Sequence, residues 1–281
     1  MARLAYCGQY SSAVLSNSPY AYYRLDESPG NNIAADQGSG ANSGTYTNSP
    51  TRGASGALQN DPTDTAAAFN RTGSQYLQLT TMGNLGVSLN SGFTLEYWLK
   101  TSDGTDYQSI MGSVNAATST DFIVDLNYSG NSDMLRLYFR GDDGNRLETQ
   151  LLTTTPGNIN IFNNAWHYIA QVYDPTTANL SDRIKFYVDG ALQTTTPFGT
   201  GNPVAGNFSG PLTLAATNDR GSVGNYLSGG LDEVAIYKTA LAPGTISNHF
   251  AASVPEPIGG LQLMLGAGAL LGSSRVRRPS K

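Results

Sequence analysis

Two histidines, His167 and His249, and one cysteine, Cys7, stand among 281 residues. A nucleophilic triad needs a histidine base, and a zinc site needs several His or Cys ligands, so both chemistries have almost no material here. His167 reads as a strand residue making a hydrogen bond and His249 as a residue on a short terminal helix. A lone cysteine forms no intramolecular disulfide and no thiolate-rich metal site. The carboxylates gather instead in "LDESPG", "RGDDGNRLE" and "LDEVAIY". Neighbouring residues of a strand point to opposite faces, so Asp232 and Glu233 in the last segment are expected to diverge. Stability must come from packing, helped by an ion held on oxygen ligands.

With 21 acidic against 16 basic residues the net charge is −5, and the only dense cationic cluster lies at the extreme C-terminus. There is no basic surface for a phosphate backbone, which argues against nucleic acid. Charged residues make up only 13% while glycine numbers 32 and tyrosine 16, a balance that fits an extracellular β protein with many turns.

The elements that must position these residues are strands. In "FTLEYWLK", Phe93, Leu95, Tyr97 and Leu99 alternate with Thr94, Glu96, Trp98 and Lys100, which predicts one core face and one solvated face. "MLRLYFR" repeats the pattern, with Arg136, Tyr138 and Arg140 expected in water. Asp189-Gly190 predicts a hairpin from "IKFYV" into "ALQTT". One helix is expected, after Pro243, where Ile246 and Phe250 lie four residues apart. About a dozen alternating segments between turn signals predict an all-β fold of two packed antiparallel sheets.

These segments resemble laminin-G-like jelly rolls of the concanavalin A-like lectin and glucanase superfamily. The resemblance runs from about Tyr10 to Ala252 through "AYYRLDE", "GSGANSGTY", "GALQNDPTDTAAAFN" leading to "QYLQL", "FTLEYWLK", "AWHYIAQVYD", "IKFYVDGAL" and "LDEVAIYKTALAPGTISNHF". It implies a two-sheet antiparallel jelly-roll sandwich in which the first and last strands pair. Glucanases of that fold carry E-x-D-x-E on one strand; no such triplet occurs, so the expectation is a non-catalytic protein. Relatives bind one calcium at the sandwich rim. By resemblance Asp36 and Asp232 are the candidate ligands, with Asn42 as a third, the Gly-rich loop turning its carbonyls toward the ion. Trp98, Tyr138, Tyr173 and Tyr187 are candidates for a sugar-stacking platform. Trp166 is expected to anchor the hydrophobic centre.

After Ala252 the character changes. Pro255-Glu256-Pro257 precedes a largely apolar run over 258–272, followed by Arg275, Arg277 and Arg278. This order resembles the PEP-CTERM sorting signal of Gram-negative bacteria, which implies exosortase processing and delivery to the cell surface or exopolysaccharide matrix. The apolar run, read as a helical tail, enters the bilayer and the arginines hold its end on the inner side. At 15 residues it spans about 22 Å, short of a full hydrocarbon layer of roughly 30 Å. The N-terminus lacks the apolar core of a secretory signal peptide.

The expected organisation is a lead-in over 1–9, a jelly roll over 10–252 and a sorting tail over 253–281. The expected function is binding of polysaccharide or another surface component outside the cell, with a self-assembling surface-layer, fibre or viral appendage module as the alternative and a glycan-active hydrolase, its carboxylates drawn from different strands, as the third.

Overall fold

The computed structural model describes residues 8–81, 89–114, 121–203, 208 and 210–255. Of the expected sorting signal, Pro255 is exposed, while Glu256, Pro257, the apolar run and the arginines lie outside the described residues. Among the described residues no helix is long and apolar enough to cross a membrane.

The chain opens with helix α1 (Gln9–Ser16). Strands β1 (Ala21–Tyr23), β2 (Ile33–Ala34), β3 (Gly44–Thr47), β4 (Thr51–Ser55), β5 (Thr65–Phe69) and β6 (Tyr76–Thr81) follow. The middle of the chain forms β7 (Phe93–Lys100), β8 (Gln108–Val114), β9 (Asp121–Leu126), β10 (Met134–Arg140) and β11 (Arg146–Leu152). Next come β12 (Trp166–Tyr173), β13 (Ile184–Val188), β14 (Ala191–Leu192) and β15 (Thr196–Thr200). The last strands are β16 (Pro211–Leu214), β17 (Thr217–Asp219), β18 (Ser222–Gly224) and β19 (Gly229–Tyr237), before helix α2 (Pro243–Ser253).

Two sheets stack as a sandwich. One has the order β14-β13-β12-β7-β19-β5-β4, with β1 also on β19. The other runs β15-β11-β10-β9-β8-β16-β6-β3-β2, with the β17–β18 hairpin beside β8. The first and last strands pair as expected, Tyr22 opposite Ala235. Leu95, Tyr97 and Leu99 meet Phe122, Val124, Leu137 and Phe139 between the sheets. Phe93 lies edge-on to Phe122 and Phe139, each with ring centroids 5.7 Å away. The predicted hairpin is present: Val188 faces Ala191, and Asp189 and Gly190 take φ of 50° and 76°.

Two expectations about exposure are corrected. Thr94, Glu96 and Trp98 are buried although they point away from the intersheet core. A second cluster covers that outer face, in which Tyr10 and Val14 of α1 and Ile246 of α2 pack on Trp98, Tyr168 and Tyr237. Helix α1 itself was not expected; a short Ser-rich segment shows its period only through Tyr10 and Val14. On the other sheet Arg136 is also buried rather than in water, held by Asp125 and Glu148 under the ring of Tyr128.

Candidate functional site

The acidic residues fall into separate groups. Asp36, in a bridge beside Tyr23, accepts the backbone N–H groups of Tyr22 and Gly38 on Oδ1 and that of Asn42 on Oδ2, at 2.7 to 2.8 Å. Gly38 and Gly40 permit this tight loop, since a Cβ on either would lie within 2.8 Å of the Tyr20 carbonyl oxygen. The loop therefore turns amides, rather than the expected carbonyls, toward Asp36. Asn42 joins Asp36 through that backbone bond, and its carbonyl accepts the Tyr23 hydroxyl.

Asp232 belongs to a different group. It lies with Asp64 and Glu233, ligand atoms within 4.8 Å of one another and all three side chains buried. A register shift between Asp232 and Ala235 and a φ of 51° at Glu233 turn both neighbouring carboxylates to the outer face, against the expectation that they diverge. Asp64 immediately precedes β5, which pairs with β19. Asp232 Oδ2 accepts the Ala57 amide and Asp64 Oδ2 accepts the Leu58 amide. The remaining Oδ1 atoms of Asp64 and Asp232 are buried without a hydrogen-bond donor. Arg24 supplies the nearby cation: its Nε donates to Glu233 Oε1 at 3.0 Å, and it lies 3.6 Å from Asp64 and 3.8 Å from Asp61. The Tyr22 hydroxyl donates to Glu233 Oε2.

The charges remain in excess. Burial raises Asp64 to about 6 despite its backbone bond, and raises Glu233 to about 8 against the pull of Arg24. Burial, then the charges of Asp64 and Glu233, lift Asp232 well above the carboxylate range. An all-oxygen set in which Asp232 Oδ1 has no donor, Asp64 Oδ1 has only Arg24 at 3.6 Å, and the two carboxyls lie close enough to share a proton has the chemistry of a hard divalent cation site.

Outside this cluster, Asp125, Glu148, Asp121 and Glu96 on the outer faces of the sheets are held in ion pairs and hydrogen bonds. Arg136 donates to Asp125 through Nε and Nη2, at 3.0 and 2.6 Å, and to Glu148 through Nη1 at 2.9 Å. Its guanidinium lies 3.4 Å from the Tyr128 ring centroid. Asp121 accepts Arg140 at 2.6 Å and the Tyr138 hydroxyl at 3.2 Å. On the opposite face Glu96 accepts the hydroxyls of Tyr168 and Tyr237 and His249 Nδ1, at 2.7 to 2.9 Å. His167 bonds Asp189 and Asn163 from its strand, as expected.

Of the platform candidates, Trp98, Tyr173 and Tyr187 are buried and only Tyr138 is half-buried. Trp166 is the reverse of expectation. It is half-buried at the start of β12 and points outward, packing on the edge of the outer aromatic cluster. Its indole passes over the neighbouring strand β7 to Gly230, where a Cβ would lie 2.6 Å from the ring. Ala54, Ala66, Ala68 and Gly230 form a floor of small residues beside it, in a cleft of about 280 Å³. A second cleft of about 130 Å³ lies on its other side, against Trp98 and Phe250.

The family model described as the concanavalin A-like lectin/glucanases superfamily, a laminin-G-like group, matches residues 71–247. No curated protein matches the chain. Among solved structures, the binding domain of Paraclostridial mosquitocidal protein 1 is similar with a TM-score of 0.58 at 13% identity, over 84% of this chain and 52% of that one. The botulinum neurotoxin serotype G binding domain gives 0.56 at 11%, over 83% and 50%. A botulinum neurotoxin type C chain, whose cell entry is described as dependent upon interaction with two ganglioside molecules, gives 0.58 at 13%, over 86% and 53%. The chain thus spans about half the length of these structures, and the likeness is one of fold.

Proposed function

From the membership of this chain in the concanavalin A-like lectin/glucanase superfamily, we propose that it is a non-catalytic, lectin-like module that binds glycan outside the cell. The observation that carries this reading is the closure of Asp125, Glu148 and Glu96 on the sheet faces. A glycosidase needs a proton donor and a nucleophile free to meet one sugar. Here Asp125 and Glu148 are locked by Arg136, and Glu96 by two tyrosines and a histidine. The similar toxin binding domains, one described by its interaction with gangliosides, support the same class of partner.

Calcium is the structural ion of this reading, with Asp64, Asp232 and Glu233 as the residues that would hold it. Its role is to neutralise buried charge and tie the segment around Ala57 to the last strand. Residues 255–257 and the basic end are read as a sorting signal that delivers the module to a polysaccharide-rich bacterial surface.

A glycan array with the full chain, run with calcium and with chelator, tests the proposal, alongside reducing-end release from the same glycans. Binding without release supports it. A blank array, or release of reducing ends, overturns it.

A further inference from the structure

The geometry points to the cleft beside Trp166 as the seat of an anionic sugar, a pyranose carrying a carboxylate. This inference rests on the glycan-binding reading and gives it a location and a ligand class.

Trp166, Lys100, Gly230 and Ala68 stand in one row across β12, β7, β19 and β5, so their side-chain positions share the outer face. The helices that cover the rest of that face leave this end of the row open. The indole is the wall, and its six-membered ring reaches over Gly230, where any side chain would collide with it. The floor beyond it carries nothing larger than a methyl group. A half-exposed indole beside a shallow floor accepts the C–H face of a sugar ring, which is apolar on its face and polar at its rim.

The rim of the cleft supplies matching polar groups. Lys100 and Asn164 line it on one side and Ser55 on the other. Among the described residues the Lys100 ammonium forms no ion pair, although acidic residues outnumber basic ones 21 to 16 in this chain. An unpaired ammonium next to a stacking surface selects a sugar with a negative charge.

The test measures affinity electrophoresis and calorimetric titration of the full chain against polygalacturonate, against neutral dextran and against dextran sulfate. Wild type is compared with Trp166→Phe, Trp166→Ala, Lys100→Gln and, on the other sheet, Tyr138→Ala. We expect polygalacturonate to bind best. Affinity should fall about tenfold or more in Trp166→Ala, equivalent to about 1.4 kcal/mol, and Lys100→Gln should remove the preference over dextran. Tyr138→Ala should bind as wild type. The sequence holds only two tryptophans, and of these only Trp166 lines this cleft, so the fluorescence change caused by a single galacturonate should vanish in the conservative Trp166→Phe variant, whose retained fold is checked by its melting temperature. Equal binding of dextran sulfate and polygalacturonate, unaltered by Lys100→Gln, would mean non-specific charge attraction and overturn the inference. If a glycan binds but only Tyr138→Ala weakens it, the seat is on the other sheet and the inference fails while the glycan-binding function stands. If no glycan on the panel or the array binds, the function itself fails.

Discussion

Asp232 and Glu233, consecutive on the last strand, turn their carboxylates into one cluster with Asp64, because the strand bulges and Glu233 adopts a φ of 51°. Regular alternation would have sent one of them into the apolar core. The bulge keeps both outside the core but concentrates negative charge behind a wall of buried residues. Arg24 offsets part of it through Glu233, and two Oδ1 atoms remain without a donor.

The first prediction concerns pH. Burial raises Asp64 to about 6 and Glu233 to about 8 in the fold and lifts Asp232 well above the carboxylate range, whereas all three titrate near 4 in the unfolded chain. The folded state therefore holds protons that the unfolded state has released. The stability this confers is fully present below about pH 4 and is lost as pH rises through about 6 to 8. In chelator the melting temperature should fall from pH 5 to pH 8.5, and excess calcium should remove most of the fall. An Asp64→Asn variant that kept the full pH slope would contradict the assignment.

Replacing Asp232 by Asn retains an oxygen for the Ala57 amide and removes a buried ionisable group. In chelator at pH 8 this should stabilise the protein by about 1 kcal/mol in urea unfolding, since an amide need not take up a proton on folding as the buried carboxyl must. The same variant should lose the stabilisation that calcium gives wild type. A variant that is destabilised in chelator yet still responds to calcium would place the ion elsewhere.

Arg136 is the only cation reaching both Asp125 and Glu148 among the described residues. Arg136→Met should destabilise by about 3 to 5 kcal/mol, because it leaves two buried carboxylates uncompensated. Converting Asp125 and Glu148 to leucine in the same protein should recover much of that loss. Equal losses in the single and triple variants would show that packing under Tyr128, and not charge, dominates.

Helix α2 is tied to the sheet by His249, which bridges Glu96 on one side and Asn17 of the segment after α1 on the other, each at 2.9 Å. The Asn17 amide donates to Nε2, so Nδ1–H donates to Glu96. His249→Ala should cost about 1 to 3 kcal/mol and speed hydrogen exchange in α2 ahead of the strands. Uniform exchange across helix and sheet would argue against a local tether.

The strands were legible where alternation is carried by large apolar residues, as in Phe93–Lys100, and where a turn has a strict requirement, as at Asp189-Gly190. The sandwich and its pairing of ends followed from the order of such segments. What the sequence hid were the second layers of cover. Glu96 and Arg136 look solvated in any period-2 reading, because the helices and tyrosines that bury them come from distant segments. The acidic cluster was half legible. Asp232 stood out, but Asp64 joins it only because β5 lies beside β19, a neighbour relation that spacing along the chain does not encode. Trp166 was misjudged for the same reason: whether an indole fills the core or roofs a glycine depends on which strand lies next to it.

The central place of β19 also has a kinetic side. Its neighbours β1, β5 and β7 all precede it by more than a hundred residues, so during synthesis they emerge with open edges and no partner to close them. Until the last strand leaves the ribosome the sheet is split into two unfinished halves, each a template for pairing with another chain. Folding of this sandwich is therefore bound to wait for its final strand, and a chain stalled before Gly229 should aggregate rather than accumulate as a stable fragment.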